Sequence, residues 1–172
     1  MAELCISLFR TKVLDELLIL GTKDGLRAFA ETLRSLASGA RSDAVLSAGA
    51  GISCRPPLTI RAVVVPPPGT GERSPMLVRA LKRALYPGPR RGLFRSGPLD
   101  SPVFEWSLDS SYWNDFAELV AGLAESGRDG NSQDLDTCYP QDASVEVEYR
   151  ERLTPQEPEK QPERNSEQDD RG

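Results

Sequence analysis

One helical design occurs twice in this chain. DGLRAFAETLRSLASG at 24–39 returns as SYWNDFAELVAGLAESG at 111–127, with Leu26, Phe29, Ala30, Leu33, Leu36 and Ala37 falling on Trp113, Phe116, Ala117, Val120, Leu123 and Ala124 at a constant offset of 87. Steps of three, one, three, three and one residues put all six apolar positions on one helical face. A chain carrying two such faces has to bury both, so the repeat limits the fold more than any other feature. The predicted ends agree too: Asp24 and Ser111 are N-cap residue types in the same register, and Gly39 and Gly127 can close the helices.

Strand patterns flank both helices. LLILGT at 17–22 and VFEWSLD at 103–109 precede them, and LTIRAVVV at 58–65 and ASVEVEY at 143–149 follow after long loops that contain Cys54-Arg55-Pro56 and Cys138-Tyr139-Pro140. A first strand at 3–9 is expected to hairpin with 13–22, and a helix is expected at 75–86. AVLSAGAGISC at 44–54 reads equally as a Gly-weakened strand or a loop. The pattern predicts an α+β fold: a mainly antiparallel sheet with helices on one face, built from two related strand-helix-loop-strand halves. The expected units are a first half at 1–72, a basic helical linker at 73–100, an acidic second half at 101–153, and a tail at 154–172. That tail has no aliphatic or aromatic residue, so it is expected to be disordered.

RAVVVPPPGTGERSPMLVRALKRA at 61–84 follows the order of a strand, a phosphate-binding loop and a helix, but the loop chemistry fails. With Gly71 as the second glycine of G-x-x-x-x-G-K-[ST], Pro66 stands where the first glycine belongs, Glu72 where the lysine belongs and Arg73 where the hydroxyl belongs. Proline offers no N–H, and Glu72 would set a carboxylate against a polyanion. The stretch reads instead as a strand end, a turn and a helix start at Ser74-Pro75.

Histidine is absent from all 172 residues, which excludes triads that depend on it and removes the commonest nitrogen ligand for metals. The three cysteines, Cys5, Cys54 and Cys138, lack zinc or redox spacing and read as buried thiols. No apolar run approaches the roughly 18 residues of a membrane span, and Glu3 stands where a signal peptide would be basic, so a cytoplasmic protein is expected. No cofactor or metal site is predicted.

Charge is segregated along the chain. Residues 73–95 hold seven Arg or Lys and no acid, whereas residues 101–149 hold eleven Asp or Glu against Arg128 alone, in a chain of net charge −5. The basic segment either lies against the acidic half or grips an anion through Arg79, Arg83, Arg90 and Arg91. Asp109, Asp115, Glu118, Asp134 and Asp136 fall off the apolar stripe or in the loop after it. They are expected to be exposed and to draw a basic protein partner.

The helix FAELVAGLAESG, the acidic loop containing DLD and the closing strand VEVEY resemble small bacterial α+β proteins grouped with the immunity proteins of polymorphic toxin systems. The resemblance covers 103–149, with a weaker echo over 17–65. It implies a noncatalytic binding protein, and it carries no residue roles across. Two alternatives stand beside it: a nucleic-acid-associated accessory protein working through 73–95, and an enzyme using carboxylates such as Asp109, Asp134 and Asp136, with or without a divalent metal.

Overall fold

A computed structural model of the chain describes residues 3–10, 14–67 and 90–153. The glycine turn at 69–73, the helix expected at 75–86 with Arg79 and Arg83, and the tail at 154–172 lie outside the described residues.

The described elements are α+β. In chain order they are β1 (Leu4–Phe9), β2 (Asp15–Gly21), α1 (Lys23–Ala37), β3 (Asp43–Val45), β4 (Ile52–Arg55), β5 (Thr59–Val64), β6 (Gly92–Ser96), β7 (Val103–Leu108), α2 (Ser110–Ser126), β8 (Ser132–Asp134) and β9 (Ala143–Tyr149). The ambiguous stretch at 44–54 divides, giving the end of β3, a turn and the start of β4.

Two sheets form where the sequence suggested one. The first has the order β4-β1-β2-β9-β8 and the second β3-β5-β7-β6. In the first, β1 and β2 are antiparallel, β2 and β9 parallel, and β9 and β8 antiparallel. In the second, β6 and β7 are antiparallel, β7 and β5 parallel, and β5 and β3 antiparallel. A hairpin can join only antiparallel neighbours, so the parallel contacts, β1 with β4 as well as β2 with β9 and β7 with β5, are made by strands that are not consecutive in sequence. Residues 92–96, read above as part of a basic linker, are a strand paired with β7.

The core follows from alternation. Leu4, Ile6 and Leu8 of β1 and Ala143, Val145, Val147 and Tyr149 of β9 are buried at every second position. The predicted helical stripes are buried as well: Leu26, Phe29, Ala30, Leu33 and Leu36 on α1, and Trp113, Phe116, Ala117, Val120, Leu123 and Ala124 on α2. These residues form a single cluster together with core residues of both sheets. At its centre Trp106 meets Trp113 edge to face at 5.4 Å, and the Trp113 indole N–H donates to the Leu108 carbonyl at 3.1 Å.

The helix ends differ from expectation by two residues. Thr22, not Asp24, caps α1 by accepting from the Gly25 N–H at 3.3 Å, and Asp109, not Ser111, caps α2. Gly127 closes α2 with φ 60°, a left-handed conformation that glycine adopts without a Cβ penalty. Gly25 is required for a different reason: a Cβ there would stand 2.1 Å from the Glu3 carbonyl, which also accepts from the Thr22 N–H at 3.0 Å. The start of β1 therefore sits directly on the first turn of α1.

Candidate functional site: the acidic face of the second half

The α2 helix shows its polar side to solvent along a shallow groove against β8, of about 520 Å³. Asp115, Glu118, Leu119 and Gly122 line it from the helix, and Asn131 and Gln133 from the strand side. Leu119 lies outside the buried stripe and is 40% exposed, so the floor of the groove is apolar under an acidic rim. Gly122 helps keep the floor open, since a Cβ there would touch nothing within 4 Å.

β8 is the edge strand of its sheet. The Tyr149 N–H donates to the Asn131 carbonyl and the Leu135 N–H to the Val145 carbonyl, each at 2.8 Å. Antiparallel pairing alternates, so Ser132 and Asp134 turn their backbone groups toward the edge that no described strand covers.

The five predicted carboxylates do not share one fate. Asp115, Asp134 and Asp136 are exposed and make no ion pair among the described residues. Glu118 is exposed, but Arg34 of α1 reaches it at 3.4 Å. Asp109 corrects the expectation of exposure: it is 5% exposed and accepts from the Ser111 N–H at 3.1 Å and the Ser111 hydroxyl at 2.5 Å. Its carboxylate is turned into its own helix. Alternation along β8 also puts Gln133 on the groove side and Asp134 on the opposite face, so the free carboxylates spread over the surface instead of converging on a point. Among the described residues no three Cys, Asp or Glu side chains gather as a metal ion would require.

Of the basic candidates, Arg90 and Arg91 are described. The Arg90 guanidinium lies 5.4 Å from the Phe94 ring centroid. Arg91 donates to the Pro66 carbonyl at 2.6 Å and sits 5.9 Å from the Tyr139 ring centroid. Arg95 pairs with Asp15 at 2.5 Å. Residues 90–96 are thus tied to the rest of the fold through Arg91 and Arg95.

The cysteines divide as well. Cys138 is exposed, while Cys5 and Cys54 are half-buried, which departs from three buried thiols. Burial is the main cause holding the Cys54 thiol above its ordinary pKa, with the neighbouring Cys5 adding to it. The Tyr112 hydroxyl lies 2.9 Å from Cys138 Sγ, and that hydrogen bond is the first cause of its raised pKa.

Sequence reasoning missed the groove and the edge strand. Leu119, an apolar residue one position off the buried stripe, was the one signal that pointed to the groove. Against known proteins, no family model, no curated protein and no solved structure matches the chain.

Proposed function

We propose that this chain is a noncatalytic protein-binding module whose α2–β8 face takes a basic protein partner, in the manner of a cytoplasmic toxin-neutralising protein. The observation that carries the reading is a set of exposed carboxylates that meet no cation among the described residues, Asp115 in an apolar-floored groove and Asp134 and Asp136 on and just after the edge strand beside it. Uncompensated surface charge speeds the encounter with an opposite charge, the groove offers apolar area, and the edge offers backbone hydrogen bonds.

The test is capture from a lysate of the source cell at low and high salt, with bound protein and nucleic acid both measured. A basic protein retained at low salt, and lost with Asp134→Lys plus Asp136→Lys, is the expected result. Recovery of RNA or DNA alone, dependent on Arg90 and Arg91, would replace this reading with nucleic-acid binding.

We also read the chain as a duplicated unit whose last strands have exchanged sheets. Support comes from the pairing order: β1-β2-β9-β8 and β6-β7-β5-β3 each run antiparallel, parallel, antiparallel, with α1 and α2 following equivalent strands. A parallel bridge of Leu93 with Gln141 stands where β1 and β4 pair in parallel.

A further inference from the structure

A cavity of about 140 Å³ lies between α1 and the loop after β3. Leu4, Phe29, Ala44 and Leu46 are buried and form its apolar walls, and Ala48 and Ala50 are exposed at its mouth. Its size is that of the apolar cavity of about 150 Å³ that takes a benzene ring.

The second half indicates what would fill it. On the duplicated reading proposed above, Gly25 corresponds to Tyr112 and Phe29 to Phe116 at the constant offset. The loops correspond through their strand contacts: the Leu4 N–H donates to the Gly51 carbonyl at 3.0 Å, and the Leu93 N–H to the Pro140 carbonyl at 3.1 Å. One residue before these acceptors stand Ala50 and Tyr139. Tyr112 and Tyr139 have ring centroids 5.4 Å apart, and Tyr112 lies 6.3 Å from Phe116. Tyr112 therefore packs on the phenylalanine and Tyr139 on Tyr112 in one half, whereas glycine and alanine stand at both places in the other, where the counterpart Phe29 lines a cavity.

Only one of the two ring positions is open. The Glu3 backbone occupies the space next to Gly25, where even a Cβ would stand 2.1 Å from the Glu3 carbonyl. The room that remains is lined by Ala50, the counterpart of Tyr139. Arg41 and Glu3 also line the cavity and give it a hydrogen-bond donor and an acceptor.

We propose that this cavity is a binding site for a single phenol-class aromatic ring, held beside Phe29 at Ala50, the counterpart of Tyr139 in the second half. The site is separate from the acidic face, and its failure would leave the partner reading standing.

The experiment is titration of the full chain with phenol and, separately, with N-acetyl-tyrosinamide, followed by backbone amide shifts. Saturable shifts at Phe29 and Leu46 with Kd on the order of 1 mM are expected, weakened at least about tenfold in Ala50→Tyr, which supplies the ring from within. Binding of phenol alone assigns the site to a free small aromatic, and binding of the tyrosinamide assigns it to a tyrosine presented by another chain. The wild-type shifts give a readout independent of the variant's folding. No saturable shift at the cavity with either probe overturns the proposal. So does unchanged binding by a folded Ala50→Tyr, because Ala50 would then not correspond to Tyr139.

Discussion

Asp109 and Asp115 are six residues apart and chemically identical, yet the fold uses them in opposite ways. Asp109, at 5% exposure, spends its carboxylate on the Ser111 N–H and hydroxyl, while Asp115 faces solvent in the groove. Asp109→Ala should therefore destabilise by about 0.5–2 kcal/mol, the range for losing an N-cap, and leave the association rate with a basic partner unchanged. Urea unfolding beside a binding measurement checks both halves of that statement. The sequence could not choose this cap, because Asp109, Ser110 and Ser111 are three capping types in a row and only the extended backbone of Asp109, φ −77° and ψ 168°, decides among them. The core aromatics were legible one by one. Phe29 and Phe116 are 3% and 2% exposed, so Phe29→Ala and Phe116→Ala should each cost about 3–5 kcal/mol. An unfolding midpoint that stayed in place for either would contradict the burial described.

At the level of elements, α1 and α2 are joined by their stripes beneath and by ion pairs above. Glu125 of α2 takes Arg27 at 2.7 Å and Lys23 at 3.4 Å from α1, and Arg34 reaches Glu118 at 3.4 Å. The hydrogen bond from Arg27 comes first among the causes that hold the Glu125 carboxyl below its ordinary pKa, with the charges of Arg27 and Lys23 adding to it. A depressed carboxylate contributes stability above its unfolded pKa and loses that contribution as pH falls through the folded value. Glu125→Gln should thus lower stability at neutral pH and reduce its fall on the acid side of the ordinary glutamate range, a difference that high salt shrinks. Parallel slopes of wild type and variant across that window would mean the seam contributes nothing. Alternation made β7 and β9 legible as strands, but β6 and β8 gave no such pattern. GLFRS buries only Gly92 and Leu93, and SQD is exposed throughout, so each becomes a strand through pairing with its neighbour. The parallel contacts β2–β9 and β5–β7 join residues far apart in the chain, which no local pattern encodes.

Over the whole molecule the net charge of −5 conceals an acidic second half whose carboxylates are partly matched and partly left over. Arg34, Arg27 and Lys23 of α1 engage Glu118 and Glu125, while Asp115, Asp134 and Asp136 keep no cation among the described residues. The segregation was legible as a count along the chain, whereas which carboxylates stay free depends on a helix seam that only the fold creates. An exposed field acts over about a Debye length, roughly 10 Å at 0.1 M salt, and it acts on encounter more than on the docked complex. The decisive measurement is the association rate of the captured protein partner with wild type and with Asp134→Lys plus Asp136→Lys, across a salt series. The predicted result is a wild-type rate that falls steeply with salt, a variant at least about tenfold slower at low salt, and convergence of the two at high salt. Equal rates at every salt concentration, or a faster variant, would contradict the acidic face as the partner surface.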